Sequence, residues 1–412
     1  MNILFLTAHL PSPVCRQAGQ KTTYFACEWL ARRGHSVHLL SFATPAELAC
    51  FRPDDMKGFA SYEIVPVTLG SRLTAVLAHP QVPLLPVSRW SGEFQSKLRR
   101  LLNAHRFDYA YLDFTGMMLY SSCLKSIPVV SVMEVDVSFR TWERLSECAP
   151  DPVRKFAYAF EARRMRSWEL RKLRDMDIVL LQSTKEQEML GELLPGQTFH
   201  LLRPWIELHR KRTFVPHAER EPGSLVFWGA MDRQPNCDAV VHAVSDILPR
   251  VALQQPQFRY NVVGNAPPEP WRRRFDNSQT MICGFVEDAF AVLSSKRIAL
   301  LPMRLGAGIK VKVLECMAAG LAVVTTPEGI EGISGREGVH FLVGRSDQEL
   351  ADHVVALLSD CDRAAALGRR AREMVLENHS FESPLARLES LICEKQSVAD
   401  VIRSPRRGSR PK

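Results

Sequence analysis

Short apolar runs alternate with longer amphipathic ones along this chain; the alternation stops once near the middle and then begins again. Strand-like runs lie at 2–8, 36–42, 62–67, 108–112, 128–133 and 177–182, each short, rich in aliphatic residues and bounded by turn-forming ones. Helical periodicity occupies 21–33, closed by Gly34 in the C-cap position, then 92–105 and 151–175. Strands and helices in strict alternation predict an α/β fold with a parallel sheet covered on both faces. Residues 204–223, with Pro204, Pro216, Pro222 and Gly223, interrupt the pattern and read as a linker. Beyond them strands are expected at 224–229, 258–264, 280–284, 298–303 and 321–326, with a helix at 235–253. Two alternations and one break predict two Rossmann-like domains, with the cleft between them as the default ligand site. The expected boundaries are 1–205 for the first domain, 206–222 for the linker and 223–380 for the second domain.

The chain has 412 residues, which suits two domains of about 200 residues each. Its 46% hydrophobic and 24% charged residues are those of an ordinary soluble globular protein. No run approaches the ~18 uninterrupted apolar residues of a membrane span. The opening Met1-Asn2-Ile3-Leu4-Phe5 lacks the basic region and cleavage site of a signal peptide and reads as a first strand. The 10 cysteines include no Cys-x-x-Cys pair, which argues against zinc and against a disulfide framework. Single cysteines in apolar patterns act as small hydrophobes, and a reducing cytoplasm is the expected location.

The net charge of +8 is unevenly placed. Part lies in 396–412, a Pro/Gly/Ser/Arg-rich tail expected to be disordered. More lies on the helical stretch carrying Arg154, Lys155, Arg163, Arg164, Arg166, Arg171, Lys172 and Arg174. That face suits peripheral contact with anionic lipid at the inner side of a membrane, or a phosphorylated acceptor; a plain solvated face is the alternative. The run lacks an interleaved aromatic platform or a known binding motif, so no nucleic acid is expected.

Residues 300–329, LLPMRLGAGIKVKVLECMAAGLAVVTTPEG, carry the most chemical information. A strand ends there, a loop with Gly306 and Gly308 follows, a helix starts near Ile309, and Gly320 ends it. At ~100° per residue Gly308, Lys312, Glu315 and Ala319 share one sector of that helix, beside an apolar sector of Val311, Leu314 and Ala318. Lys310 and Lys312 fall in the first turn, where the helix dipole disfavours cations by about 0.3–1 kcal/mol. Two lysines there make sense if an anion also binds, because loop amides and the helix N-terminus would then donate to a diphosphate. Glu315, one turn deeper, suits ribose hydroxyls. The alternative is a Lys312–Glu315 surface pair, which leaves the glycines and the opposed charge without a reason.

This run resembles the donor-binding segment of retaining GT-B glycosyltransferases of family 4 (group 1). The resemblance continues in FWGAMDRQPNCDAV at 227–240, FRYNVVG ending at Gly264, and CGFVED at 283–288, and more loosely in an N-terminal region beginning MNILFLTAHLPSP and containing Gly19. It implies the GT-B fold, with two Rossmann-like domains facing across a deep cleft and a helix at 381–395 returning to the first domain. It implies that Lys312, with Lys310 beside it, neutralises the donor diphosphate and that Glu315 holds the ribose. It further implies that Gly284, Phe285 and Val286 line the base and that Gly19, Gly229, Gly264 and Gly308 let the backbone approach the donor. The co-substrate would be a nucleotide-diphosphate sugar and the acceptor a saccharide or lipid-linked hydroxyl, with no metal and no resident cofactor. Retention of the anomeric configuration would follow, with the donor phosphate assisting departure of the acceptor proton and electrostatic stabilisation of the leaving diphosphate as the largest catalytic contribution. Two positions depart from the pattern: Ala307 stands where relatives carry a Glu contacting the sugar, and Met133 where they carry a His.

On the acceptor side, PVVSVMEVDVSFRTW at 128–142 ends a buried strand with Glu134 and Asp136 at its C-terminal tip. These two are the candidates for taking a proton from the acceptor hydroxyl; loop-capping carboxylates are the alternative. Arg140 is a candidate for acceptor phosphate, or else an exposed salt-bridge partner. Asp175-Met176-Asp177 has the form of a metal-binding Asp-x-Asp but bridges a helix end and a strand, and is expected to be structural. Two rivals remain to a glycosyltransferase: a sugar-nucleotide epimerase on the same scaffold, and a non-catalytic GT-B homologue acting as a partner subunit.

Overall fold

The alternation of apolar and amphipathic runs is realised as two parallel sheets in a computed structural model that describes all residues except 14–17, 135–136, 148, 150, 203–214, 266, 306–308, 380–381 and 404–412. The chain divides into two units, Met1–Leu202 with Leu385–Lys412, and Arg203–Pro384.

In the first unit β1 (Asn2–Thr7), β2 (Ser36–Ala43), β3 (Ser61–Pro66), β4 (Tyr109–Asp113), β5 (Val129–Glu134), β6 (Ile178–Leu181) and β7 (Phe199–Leu201) form a wholly parallel sheet. Their order is β3-β2-β1-β4-β5-β6-β7. β1, β4 and β5 are buried almost end to end, as strands covered on both faces must be. In the second unit β8 (Ser224–Trp228), β9 (Arg259–Val263), β10 (Thr280–Gly284), β11 (Ile298–Leu301), β12 (Ala322–Thr325) and β13 (Leu342–Val343) stand in the order β10-β9-β8-β11-β12-β13, again all parallel. Both orders reverse direction once, between β1 and β4 and between β8 and β11. In doubly wound sheets ligands bind outside the carboxyl ends of the strands at that reversal.

Local chemistry explains the connections. The helix Ala18–Arg32 ends where Gly34 takes φ +87, the left-handed conformation that glycine adopts without penalty. Helix Pro152–Arg174 starts on Asp151, whose carboxylate accepts the Arg154 amide at 2.9 Å. The periodic stretch 235–253 is not one α-helix: α-helical Gln234–His242 and Leu248–Gln254 flank a π-helical segment, Ala243–Ile247. Pro249 has no N–H for an i to i−4 bond, so the ladder changes pitch just ahead of it. At the ends of β8 and β9 the backbones close on one another. A Cβ added at Gly264 would lie 1.7 Å from the Gly229 carbonyl oxygen, so no side chain fits there.

Three boundaries differ from the expectation. The final helix runs Glu382–Arg403, past the 395 expected. Leu385, Leu388 and Ile392 are buried, Glu389 pairs with Arg33 and His35 at 2.9 Å each, and Gln396 donates to the Asp108 carbonyl at 3.1 Å. Of the tail expected at 396–412, only 404–412 lie outside the described residues. The segment 206–222, read as linker, is described from Val215 onward, and there it is built into the second unit. Arg220, 1% exposed, donates to the carbonyls of Val215, Lys296, Ala319 and Gly320 at 3.0, 3.1, 2.8 and 3.0 Å. Among the described cysteines Cys27 and Cys316 are buried, Cys123, Cys237 and Cys283 half-buried, and Cys50, Cys361 and Cys393 exposed. Among the described residues no helix is long and apolar enough to cross a membrane.

Candidate functional site

In the second unit the reversal point lies between Trp228–Gly229, ending β8, and the helix Val311–Ala318, which follows β11. Val313, Leu314, Cys316, Met317 and Ala318 of that helix are buried, which leaves Lys312 and Glu315 as its partly open polar side chains. Each is held from across the reversal. The Trp228 indole N–H donates to Glu315 Oε2 at 2.6 Å. Lys312 Nζ donates to Asn236 Oδ1, and the Asn236 amide donates in turn to the Ala230 carbonyl at 2.6 Å. The ammonium lies 5.7 Å from the centroid of the Phe227 ring, within cation–π range.

Several cations act on one another at this point. Burial is the main cause that pushes the Lys312 ammonium down to about 8; Glu315 opposes the shift, while Lys310 and Arg233 add to it. Lys310 immediately precedes the helix, is 7% exposed, and accepts the Val313 amide on its carbonyl at 2.8 Å. The helix therefore begins at Val311 rather than near Ile309, and both lysines still cluster at its positive end. At its other end cations are favourable. There Arg220 takes the Ala319 and Gly320 carbonyls and Arg372 donates to the Ala318 carbonyl.

The other expected donor residues fall around this point. Gly229, Gly264 and Gly284 end β8, β9 and β10, joined by Gly229 N–H to Val263 O at 3.0 Å and Gly264 N–H to Gly284 O at 2.8 Å. Phe285 is exposed and Val286 half-buried just beyond β10. Gly308 lies outside the described residues. Trp228 and Asn236 were not singled out from sequence, because nothing local marks a residue 87 or 76 positions away as a hydrogen-bond partner.

In the first unit the carboxyl ends of β1, β4 and β5 hold a second polar group. Glu134, fully buried, accepts from the Thr115 hydroxyl, and Thr115 Oγ1 accepts from Ser138 at 2.9 Å. Asp113 accepts from Thr23 at 3.0 Å, and burial pushes its carboxyl up to about 7. Glu169 accepts the Ser138 and Phe139 amides at 2.9 and 3.0 Å at the start of helix Ser138–Glu147; burial pushes it up to about 7 despite those bonds. Gly19 accepts on its carbonyl from Thr22 and Thr23, and a Cβ there would meet Phe114 at 3.2 Å. Among the described residues Phe114 is the one non-glycine with positive φ, +74, a conformation costing about 1–3 kcal/mol that is concentrated at functional sites. His9, two residues past β1, bonds Glu47 and Arg89 at 2.9 and 3.0 Å, a constellation that sequence reading missed. Arg140 pairs with Glu143 on the outer face of its helix. Asp177 accepts the Val130 amide at 2.8 Å, and Asp175 caps a helix end. Asp136 lies outside the described residues.

Comparison with known proteins bears on this geometry. Residues 222–360 match the family described as glycosyl transferases group 1. A 22% identical relative, an uncharacterized 44.6 kDa protein in the cps region of Klebsiella pneumoniae, aligns over 38% of this chain and 42% of its own, so the match spans less than half the relative's length. Among solved structures, sucrose-phosphate synthase from Thermosynechococcus elongatus superposes with TM-score 0.68 at 15% identity, covering 97% of this chain and 100% of that one. HepE from Anabaena, solved in complex with UDP, gives 0.65 at 13% identity over 96% and 100%. WaaG, a glycosyltransferase involved in lipopolysaccharide biosynthesis, gives 0.62 at 15% over 98% and 100%. At such identities the likeness establishes the fold: two Rossmann-like parallel-sheet domains of the GT-B kind.

Proposed function

We propose that this chain is a retaining, family 4 glycosyltransferase that moves a hexose-type sugar from a nucleotide-diphosphate sugar to an acceptor hydroxyl in glycan or polysaccharide assembly. One observation carries the reading: Lys312 and Glu315 are held by Asn236 and Trp228 at the strand-order reversal, inside the segment that matches group 1 glycosyltransferases. A diphosphate there would meet a dehydrated ammonium at a helix N-terminus, where countercharge is worth most. As the sugar–phosphate bond breaks, charge grows on the diphosphate and the same groups stabilise it more strongly. Glu315, fixed by Trp228, would accept from ribose hydroxyls, and Phe285 and Val286 would flank the base. HepE's complex with UDP makes a uridine diphosphate sugar the first donor to try. The chemistry as proposed needs neither metal nor resident cofactor.

The test incubates the full chain with a panel of UDP-, GDP- and ADP-sugars and measures released nucleotide and the fate of the sugar, with and without a lipid extract. Sugar transfer, or slow hydrolysis with water as acceptor, is expected. Epimerised donor without any acceptor would replace the reading with an isomerase, and tight binding with no turnover would replace it with a non-catalytic subunit.

We extend the proposal to peripheral contact with an anionic membrane on the cytoplasmic side. Helix Pro152–Arg174 exposes Val153, Phe156 and Phe160 on one side, with Phe156 75% exposed, beside exposed Arg154, Lys155 and Arg163. An earlier helix, Leu69–Ala78, exposes Leu73 and Leu77. Arg164 and Glu161 bond the segment that follows it, at Val82 O (2.9 Å) and the Leu84 amide. Aromatic and aliphatic side chains flanked by cations suit the boundary of an anionic leaflet. Replacing Phe156 and Phe160 by Ser should weaken co-sedimentation with phosphatidylglycerol vesicles by roughly tenfold per residue. Unchanged binding by the double variant would count decisively against this surface.

A further inference from the structure

We propose that Arg89 and His9 form a subsite of the first unit for the phosphate of a lipid-linked acceptor, whose hydrocarbon lies on Leu84 and Leu85. The proposal rests on the glycosyltransferase reading and deepens it by giving the acceptor a chemistry: a phosphate ester joined to a long apolar chain.

At the polar end a guanidinium is bonded to an imidazole. Arg89 Nη2 lies 3.0 Å from His9 Nε2, and His9 Nδ1 lies 2.9 Å from Glu47 Oε1. A guanidinium only donates and a carboxylate only accepts, so the ring that makes both bonds is neutral, with its hydrogen on Nδ1 and its lone pair towards Arg89. Arg89 Nη2 is thus aimed at a neutral nitrogen, a weaker acceptor than any phosphate oxygen. A phosphate oxygen set between the two would accept from Nη2 and, once the ring takes a second hydrogen, from Nε2 as well. Glu47 stabilises that imidazolium from the far side, and its own oxygens are held by the Thr44 amide at 2.6 Å and by Gln20. Among the described residues Glu47, from helix Pro45–Cys50, and Arg89, from the turn after Leu84–Val87, are the charged groups bonded to the ring. Phe114 covers one side edge-on, with ring centroids 6.0 Å apart. The His9 side chain keeps 25% exposure and Arg89 is half-buried, so a ligand can reach both.

The apolar end adjoins this pair. Bonds from Ser88 N–H to Leu84 O at 3.1 Å and from Arg89 N–H to Pro86 O at 2.9 Å wind the chain there into a turn, which brings Leu85 and Arg89 to one side of it. Both lie over Gly116, where an added Cβ would stand 3.4 Å from Arg89 Cγ and 3.8 Å from Leu85 Cδ2. Buried Tyr120 fixes the turn from beneath: its hydroxyl donates to the Arg89 carbonyl at 2.7 Å and accepts the Ser91 amide at 3.1 Å. Leu84 and Leu85 remain 41% and 38% exposed. Glu161 of helix Pro152–Arg174 accepts the Leu84 amide, and Phe160 beside it is exposed. The face proposed to meet the membrane thus leads, through Leu84 and Leu85, to Arg89 and His9.

A lipid phosphate has its chemistry in the same order: hydrocarbon in the leaflet, then an anion at the boundary. A free sugar phosphate would leave the leucines without a purpose, and a neutral lipid would leave the arginine without one. Both features together select an amphiphile with its charge next to its tail.

The test titrates the full chain with citronellyl phosphate, a short soluble isoprenoid phosphate, beside inorganic phosphate, citronellol and dihexanoyl phosphatidylglycerol. Calorimetry at pH 8 in two buffers of different ionisation enthalpy reads affinity and proton uptake together. Citronellyl phosphate should bind at least about tenfold more tightly than inorganic phosphate or citronellol, and its binding should draw protons from the buffer. Arg89→Gln should weaken it by about 10- to 100-fold, with Arg89→Lys recovering part of the loss. His9→Gln should abolish the proton uptake. Leu85→Ser, a change at an exposed position, should weaken citronellyl phosphate by roughly tenfold and leave inorganic phosphate unaffected. Equal affinity for inorganic phosphate, or wild-type affinity in both Arg89→Gln and Leu85→Ser, overturns the subsite. Phosphatidylglycerol bound as tightly through Arg89 would make this a site for bulk phospholipid and overturn the acceptor assignment. Hydrolysis of nucleotide sugars by water needs no acceptor and is read separately. Donor turnover without lipid-phosphate binding overturns this subsite alone, whereas lipid-phosphate binding without turnover of any donor overturns the glycosyltransferase reading.

Discussion

Lys312→Ala and Glu315→Ala should each lower nucleotide-sugar turnover by on the order of 10²- to 10³-fold, with far-ultraviolet circular dichroism unchanged. On the proposed reading the two act on different parts of the same donor. Without Lys312 the diphosphate loses its buried countercharge at the helix terminus, and the loss grows as the bond breaks, so kcat falls along with affinity. Without Glu315 the ribose contact goes and the Trp228 indole N–H loses its 2.6 Å acceptor, an additional cost of about 1–3 kcal/mol where the group is buried. The lysine also sets a pH signature. Burial holds its pKa at about 8 instead of 10.5, so donor affinity should decline as pH rises through about 8 and the ammonium is lost. Stability of the unliganded protein should move the opposite way. Between about 8 and 10.5 the unfolded chain holds the proton that the folded one has released, so stability rises with pH across that window. Isothermal titration with nucleotide from pH 6 to 10, set beside thermal melts over the same range, measures both. Full activity in either alanine variant would remove the donor-site assignment.

Arg220→Met should destabilise the second unit by about 3 kcal/mol or more, because four backbone carbonyls lose their donor at once inside the protein. For a unit of this size that corresponds to a fall in Tm of about 6–12 °C. Burial lowers the guanidinium only to about 10, so it is charged at any ordinary pH and its loss is the loss of an ion as well as of hydrogen bonds. Two of those carbonyls, Ala319 and Gly320, follow the helix that carries Lys312 and Glu315, so donor binding should weaken along with stability. Differential scanning calorimetry is the direct measurement. A melt superimposable on the wild type would mean that water or neighbouring groups replace the arginine, contrary to its 1% exposure.

What could be read beforehand, and what could not, follows from the range of the interactions. Strand and helix positions were legible because periodicity is a local signal: Ser61–Pro66, expected at 62–67, and Thr280–Gly284 are strands for reasons contained within those few residues. Lys312 and Glu315 were legible because the anomaly, cations at the positive end of a helix, also lies within one turn. Their supports were not, since Trp228 and Asn236 arrive from another strand and another helix. His9, Glu47 and Arg89 come from three separated segments with no common period, and only the sheet's reversal gathers them. Arg220 was read as linker because prolines and charges surround it; composition does not reveal that a guanidinium is enclosed by carbonyls. The two-residue β13 is too short to leave a pattern, and Pro249 signals a disturbance without saying that it is a π turn.

The return of helix Glu382–Arg403 to the first sheet makes that unit discontinuous, with the whole of Arg203–Pro384 inserted between its parts. During synthesis Leu385, Leu388 and Ile392 emerge only after the whole of Arg203–Pro384, so the amino-terminal unit must wait, its apolar face uncovered, while the inserted unit can already fold. The carboxyl-terminal residues thus act as the closing seam of the amino-terminal half. A chain cut short before them would expose the flaw at its opposite end.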